Sequence, residues 1–233
     1  MKQKLIIDKK SVSQQIIDHI IQEIIDGRLK LGDRILNERE FAEQLGVSRV
    51  PVREAISALS LLGILTPRQG EGTFVTEFDT ERFSKIIFAN VKLQNISQKD
   101  IFYVRKDFEC SAAKYAAQSA TKEDIEIIKH NYILHKNAIE EYLTGKCDFG
   151  LVIQADMQFH DAIASAANNV FFKQFVDALH YSIRYFHKVY KHKRDAIKKF
   201  PAEHKIILEA IEERNPDLAY QRMLEHLNFN INI

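Results

Sequence analysis

The chain has 233 residues, a formal net charge of +1 and 45% hydrophobic residues, as expected for a globular protein of one or two domains. The near-neutral charge disfavours a protein that coats nucleic acid, so any contact with DNA must come from locally placed charge. The two cysteines do not make a disulfide framework and favour a reducing cytoplasm. No apolar run is long enough for a membrane span and no signal peptide follows Met1, so we expect a cytoplasmic protein without a membrane segment.

The first 76 residues predict a small domain that begins with two helices. Ser11 or Ser13 caps the first helix, which carries an isoleucine-rich face and ends at Gly27. Asn37 caps a short second helix, and Glu40 is placed to complete a capping box. A tight turn then leads into a third helix, which makes the arrangement a helix-turn-helix pattern.

Residues 48–63 form the predicted third helix, with Ser48 as its N-cap and Gly63 after its last turn. Its buried stripe is expected to be Val52, Ala55, Ile56 and Leu59. Arg49 and Arg53 lie one turn apart on another face, from which they could reach guanine edges or phosphates in a major groove. An ordinary amphipathic helix with solvated arginines accounts for these sixteen residues equally well.

Two short strands are predicted after this helix, over residues 64–66 and 73–75. A polar, glycine-rich tip over residues 68–72 joins them. Such a hairpin is a wing, and its tip can lie along a minor groove of DNA.

Residues 14–76 resemble the winged-helix domain of the GntR family of bacterial transcription regulators. The matching segments are Gly27-Arg28-Leu29, Gly32, Leu36 to Ala42, Leu45 to Arg49, Pro51 to Ala55, Leu59, Gly63, and Gly70 with Gly72. This resemblance implies DNA contacts from Arg39, Ser48, Arg49, Arg53 and Gly70. Val50 stands where relatives often carry threonine, so it can touch a thymine methyl group but cannot donate a hydrogen bond. The alternative for Arg39 is a surface ion pair with Glu38 or Glu43.

From about residue 80 onwards the sequence predicts only helices. Ser97 with Asp100 and Thr121 with Asp124 are two starts of the capping-box type. The predicted helices cover residues 80–93, 98–119, 122–143, 148–167, 169–192, 201–213 and 216–228. We therefore predict a mainly α protein, with a winged helix-turn-helix domain over residues 1–76 and an all-α bundle over residues 77–233.

Four polar residues of the bundle lie on or beside apolar helix stripes, namely Asp156, His160, His204 and His226. Asp156 and His160 are four residues apart and share one helix face. Three imidazoles and one carboxylate from three helices could close around one divalent cation, although each residue taken singly is better explained as a core or surface group. Five further histidines, His130, His135, His180, His187 and His192, are assigned to structure or surface.

The segment from about residue 80 to 228 resembles the ligand-binding domain of the FadR-type subgroup of GntR regulators. The matching stretches are Val104-Arg105 with Glu109, Asp156 to His160, Ala166 to Asn169, Glu203-His204 with Ile207, and Met223 with His226-Leu227. The resemblance implies that the Asp-x-x-x-His pair and the two later histidines hold a metal ion. Imidazole ligation favours zinc, with nickel, manganese or iron as the other candidates.

Arg105 lies in an apolar stripe of its helix, where a charge needs a partner. The partner could be Glu109 in a structural ion pair, or the carboxylate of an effector whose other end meets the metal. The sequence supports both interpretations equally. Arg184 is a secondary candidate for the same pocket.

The function predicted from the sequence is that of a transcription regulator, with repression favoured over activation. The winged helix would bind a palindromic operator as part of a homodimer, and a small organic acid at the metal site would control that binding. The alternative is a metalloenzyme that uses the same three histidines and aspartate. It is disfavoured because no further side chain is clearly placed as a general base.

Overall fold

The computed structural model describes residues 10–77, 79–187 and 197–231, without the side chains of residues 184–187 and 229–231. The chain divides into two compact units, Met1–Phe83 and Ser84–Ile233. The predicted boundary after residue 76 stays a prediction. None of the helices in the described ranges combines the length and hydropathy needed to cross a lipid bilayer.

The first unit contains three helices and three short strands. They are α1 (Val12–Ile25), β1 (Arg34–Ile35), α2 (Glu38–Leu45), α3 (Arg49–Leu61), β2 (Leu65–Arg68) and β3 (Gly72–Val75). The side chain of Ser11 caps α1, and Asn37 with Glu40 forms the predicted capping box at the start of α2. Ser48 occupies the N-cap position of α3, but its side chain makes no capping hydrogen bond. Gly63 follows α3 with a φ of 76°, a left-handed conformation that suits glycine.

The strands form an antiparallel sheet in the order β1-β3-β2. The predicted wing is confirmed as the β2–β3 hairpin, in which Leu65 lies opposite Val75 and Arg68 lies opposite Gly72. Strand β1 was not predicted from the sequence. A strand of two residues, Arg34 and Ile35, is too short to show the alternation that identifies a strand.

The predicted apolar stripe of α3 forms the centre of the core of this unit. All four stripe residues are buried, and they pack with apolar residues of α1, α2 and the sheet. The stripe therefore faces inwards, which leaves Arg49 and Arg53 exposed on the other side of α3.

Within the described residues, the second unit contains only helices. Its first helix begins before the boundary between the units, so residues 80–83 of that helix belong to the first unit. Its helices are α4 (Thr80–Leu93), α5 (Gln98–Ser119), α6 (Lys122–Leu143), α7 (Phe149–Ala166), α8 (Val170–His187), α9 (Phe200–Glu212) and α10 (Pro216–Ile231). The capping boxes at Ser97 and Thr121 are confirmed. The predicted helix over residues 169–192 is seen as far as His187, and the rest of that prediction, with His192, lies outside the described residues.

Helix α5 lies at the centre of this bundle, in contact with α7, α8, α9 and α10. Its buried face is rich in alanine, at Ala112, Ala113, Ala116 and Ala117, so neighbouring helices can approach closely. Towards the start of the helix the same buried face carries two charged residues, Glu109 about one turn before Ala112 and Arg105 about one turn before Glu109. Their charges are thus placed inside the bundle.

Candidate metal centre and nucleic-acid interface

The four predicted metal ligands come together in the helical unit. Asp156 and His160 lie on α7, His204 on α9 and His226 on α10, and one ligand atom from each lies within 4.8 Å of those of the other three. The three histidines are at most 2% exposed, and the Asp156 side chain is 17% exposed. The sequence prediction that these residues meet is therefore matched by the geometry, while the identity of an ion stays a prediction.

The donor atoms face one another in a way that fits one divalent cation. His204 Nε2 lies 3.1 Å from His226 Nε2 and 3.5 Å from Asp156 Oδ1. His160 Nε2 lies 3.9 Å from Asp156 Oδ1 and has no hydrogen-bond partner among the described residues. Ligands bound at about 2.0–2.2 Å to a single ion lie at most about 4.4 Å apart, so small side-chain movements would complete the site.

Each of the three histidines uses its Nδ1 atom for a contact with a further buried or half-buried side chain. His226 Nδ1 lies 2.7 Å from Glu203 Oε2. His160 Nδ1 lies 2.6 Å from Glu109 Oε2, although the two atoms lack the alignment of a regular hydrogen bond. His204 Nδ1 lies 2.9 Å from Nδ1 of His135. Partners of this kind fix the ring orientation and the tautomer of metal-binding histidines.

Burial favours the neutral form of two of these ligand candidates, His160 and His204, and of the neighbouring His135. Burial lowers the pKa of His160 and, together with the neighbouring imidazoles of His226 and His135, places the pKa of His204 well below its ordinary range. Burial also lowers the pKa of His135 to about 4. Because a metal binds the neutral imidazole, the unit presents these side chains in the protonation state that a cation needs.

Arg105 forms the buried ion pair that the sequence analysis considered. Its Nε atom lies 2.5 Å from Glu109 Oε1, and both side chains are 2% exposed. Arg105 Nη2 is buried without a hydrogen-bond partner among the described residues. The structural interpretation of Arg105 is therefore met by Glu109, while one nitrogen of its guanidinium group remains available to a second acceptor.

His180 extends this charged network to α8. Its Nε2 lies 2.6 Å from Glu109 Oε1 and its Nδ1 lies 2.6 Å from Asp161 Oδ1. Burial opposes the charged form of His180, but the two carboxylates outweigh burial and raise its pKa to about 9. Burial likewise opposes the charged form of Glu109, yet Arg105 and the two histidines hold its pKa well below the ordinary range.

The histidines that contact the candidate ligands and Glu109 were not predicted from the sequence as part of the site. His135 and His180 were assigned to structure or surface, and both are buried next to the site. His135 had a detectable signal, because it continues the buried stripe of α6 between Ile128 and Ile139. The backbone of Arg184, the secondary effector candidate, belongs to α8, but its side chain lies outside the described part of the chain.

The two arginines of α3 share one carboxylate on the surface of the first unit. Arg53 donates from Nη2 to Glu38 Oε2 at 2.9 Å, and Arg49 Nη2 lies 3.5 Å from the same oxygen. The side chains of Arg49 and Arg53 are 59% and 61% exposed, so these ion pairs contribute at most about 1 kcal/mol. A phosphate or a guanine could therefore replace Glu38 at little cost.

The other predicted DNA contacts also lie on exposed parts of this unit. Arg39 is 77% exposed and pairs with Glu43 at 2.9 Å, which was the surface alternative proposed for it. Val50 is 63% exposed next to the exposed Arg49. Gly70 stands at the tip of the wing with a φ of 77° and open space around it. Ser48, Arg49, Val50, Arg53, Arg39 and Gly70 are thus accessible to a ligand, and their roles in DNA binding stay a prediction.

Comparison with known proteins identifies both units. Residues 12–75 match the family model of bacterial regulatory proteins of the gntR family, and residues 100–229 match the model of the FCD domain. The solved structure of Streptococcus agalactiae GntR has the same fold, with a TM-score of 0.65 and 24% identity over 95% of this chain and 100% of that one.

Two curated relatives cover nearly the whole chain. The HTH-type transcriptional regulator LutR of Bacillus subtilis is 32% identical over 88% of this chain and 92% of that protein. The putative L-lactate dehydrogenase operon regulatory protein of Escherichia coli is 30% identical over 97% of this chain and 87% of that protein. These relatives are regulators, which leaves the metalloenzyme alternative without support. The chain belongs to the GntR family of bacterial transcription regulators, as a DNA-binding regulator of the FadR-type subgroup with an FCD domain.

Proposed function

We propose that this regulator is a homodimeric repressor that leaves a palindromic operator when a small organic acid binds at a metal ion in its FCD domain. The observation that carries the proposal is the convergence of four buried or half-buried ligand candidates in the same bundle as an incompletely paired arginine. A cation and an arginine together can bind opposite ends of one small organic acid.

The metal is proposed to be zinc, held by Asp156, His160, His204 and His226. Three imidazoles and one carboxylate suit zinc, with nickel, manganese and iron as alternatives, and disfavour magnesium and calcium. When bound, the ion would supply coordination positions that an effector oxygen can enter. Burial of His160 and His204 supports this assignment, because it lowers their pKa values and so favours the neutral imidazoles that the ion needs.

The effector is proposed to be a small carboxylic acid that accepts a hydrogen bond from Nη2 of Arg105. That atom is buried without a partner among the described residues, and leaving such a donor unpaired costs about 1–3 kcal/mol. A bound carboxylate would remove this cost. One relative is named as a putative regulator of the L-lactate dehydrogenase operon, so L-lactate is a suitable first probe among small hydroxy acids. A contribution of Arg184 to this pocket stays a prediction.

The operator is proposed to be read by α3 from each of two copies of the chain. Arg49 and Arg53 would contact base edges or phosphates, Ser48 and Arg39 phosphates, Val50 a thymine methyl group, and Gly70 would bring the wing close to the minor groove. A single winged helix reads only a half-site, which is why a palindrome requires a dimer. Exposed apolar residues of α5 and α8, including Val104, Tyr115, Val170 and Phe171, support self-association of the FCD domain.

Metal analysis and operator release test the ligand part of the proposal. Protein purified without a histidine tag should contain about one zinc per chain, and L-lactate or another small acid should release the operator only from metal-loaded protein. His226→Ala should lose both zinc and the response to acid, while the control His130→Ala on the exposed face of α6 should keep both. Full response to acid in metal-free His160→Ala and His226→Ala proteins would disprove the metal site.

Operator binding is tested with a DNA site selected from a random pool by the full-length protein. Arg49→Ala and Arg53→Ala should each weaken binding by about 1–3 kcal/mol, whereas the control Arg222→Ala in the FCD domain should not. Unchanged affinity in both α3 variants would remove this helix from the readout. Sedimentation of Phe171→Asp tests the dimer, since this charge should shift the protein towards monomers.

A further inference from the structure

The three candidate histidine ligands differ in what holds them from behind. His226 and His160 each have a glutamate oxygen at Nδ1, at 2.7 and 2.6 Å. His204 has instead another imidazole, because its Nδ1 lies 2.9 Å from Nδ1 of His135. The His135 side chain is fully buried, and its ring centroid lies 4.6 Å from that of His204. His135 is therefore fixed against a ligand without belonging to the cluster of four.

The positions of the ring protons determine which histidine donates in the contact between His204 and His135. Two nitrogen atoms 2.9 Å apart form a hydrogen bond only if one carries a proton and the other offers a lone pair. If His204 uses Nε2 as its ligand atom, its single ring proton must be on Nδ1. His204 then donates to His135, and the proton of the neutral His135 ring must be on Nε2.

The second nitrogen of His135 points towards another ligand of the cluster. Nε2 of His135 lies 3.7 Å from Asp156 Oδ1 and has no hydrogen-bond partner among the described residues. Its N–H, required by the contact with His204, thus faces a carboxylate oxygen rather than an apolar wall. One neutral side chain thereby touches a histidine ligand with one nitrogen and faces the aspartate ligand with the other.

We propose that His135 is a positioning residue of the metal site, which holds His204 in the tautomer that leaves Nε2 free for the ion. This inference rests on the proposed metal site and adds a residue outside its ligand set. The physical effect is on affinity, because removing a partner that orients a ligand typically weakens metal binding about 10- to 100-fold. A neutral acceptor also orients His204 without adding another negative charge to a site already flanked by Glu109 and Glu203.

Two substitutions separate the hydrogen bond from the packing of the ring. The amide oxygen of His135→Asn can occupy the position of Nδ1 and accept the same proton, whereas His135→Leu fills the space without an acceptor. The exposed His130, five residues earlier on α6, provides matched controls in His130→Asn and His130→Leu. The zinc affinity of each full-length protein is measured by competition with a chromophoric chelator.

His135→Leu should bind zinc about 10- to 100-fold more weakly than wild type, and His135→Asn should recover most of that loss. The controls should be unchanged. Melting of the zinc-free proteins, followed by circular dichroism, shows whether each variant is folded. If His135→Leu is not folded, the Asn variant and the spectrum of the wild type still test the proposal. Equal zinc affinity of wild type and folded His135→Leu, or a loss in His135→Asn as large as that in His135→Leu, would overturn it.

Nitrogen-15 NMR spectra of the zinc-loaded wild type report the tautomers of His204 and His135, which a role of His135 in packing alone would not determine. His204 should show a protonated Nδ1 and a metal-bound Nε2, and His135 a protonated Nε2 and an unprotonated Nδ1. A metal-bound nitrogen on His135 would make it a ligand and would overturn the positioning role alone. A wild-type protein that binds no divalent metal would instead refute the proposed metal site, and with it this inference.

Discussion

The pH dependence of stability offers a test of the charged network around His180. The side chain is 1% exposed between two carboxylates, and its pKa is raised from 6.5 to about 9. A raised pKa means that the folded protein holds a proton that the unfolded chain releases at lower pH. The resulting stabilisation is fully present below pH 6.5 and is lost as the pH rises through 9.

The size of the effect follows from the two pKa values. One unit of pKa difference corresponds to about 1.4 kcal/mol, so the free energy of unfolding should fall by about 2–3 kcal/mol between pH 6.5 and 9. His180→Gln removes this group while leaving a neutral donor in its place. The gap in unfolding free energy between wild type and His180→Gln should therefore be about 2–3 kcal/mol larger at pH 6.5 than at pH 9.

Urea denaturation of the metal-free protein measures this gap without a fragment or a label. All eight tyrosines lie between residues 103 and 220, and the chain has no tryptophan, so the tyrosine signal in near-ultraviolet circular dichroism follows the FCD domain alone. His130→Gln serves as the control, since His130 is an exposed histidine of α6.

The comparison of His180→Gln with His130→Gln tests whether His180 is charged in the folded protein. The His130→Gln protein should follow the wild type at both pH values. A gap between wild type and His180→Gln that is the same at pH 6.5 and pH 9 would refute the argument. It would mean that His180 is neutral between Glu109 and Asp161 in the folded protein.

Three further substitutions test other parts of the structure. Glu109→Gln should reduce the unfolding free energy by about 3–5 kcal/mol in urea, because it leaves buried cations without their carboxylate; a loss below about 1 kcal/mol would contradict this. Gly63→Ala should lower the melting temperature of the winged helix more than Gly27→Ala. Both positions have positive φ, but only at 63 would the new methyl group meet another atom, Asp79 Cβ, at 3.2 Å. Thr121→Ala should cost about 0.5–2 kcal/mol in urea by removing a cap, and an unchanged midpoint would show that the cap contributes nothing.

Much of the fold was predictable because its signals are local in the sequence. The capping boxes at Asn37, Ser97 and Thr121 are set by residues three positions apart, and all three are present in the structure. The stripe of α3 repeats within a single helix and is buried as predicted. Strand β1 was missed because it is defined by its pairing with β3, which is distant in the sequence. Two residues are too few to indicate such a pairing.

For the candidate site, the four ligands could be predicted from the sequence, but the side chains that contact them could not. The pair Asp156 and His160 is visible within one helix. His204 and His226 were selected from the apolar stripes of two other helices, and the family resemblance then supported all four as ligands of one ion. The partners behind the ligands come from other helices, such as His135 on α6 and Glu203 on α9. Their distances to the ligands depend on how whole helices pack, and no spacing in the sequence encodes that packing.

The network also explains why acid and metal should assist each other. Burial is the largest cause that lowers the pKa values of His160 and His204, and the positive charge of Arg105 lowers them further, so its field reaches the candidate ligands and disfavours a cation there. A carboxylate bound to Arg105 would offset that field, and it would leave Glu109 a stronger acceptor for His160. Both effects favour the metal in the presence of the acid. Because linkage between two binding sites is reciprocal, the metal must favour the acid by the same free energy, whatever the operator does.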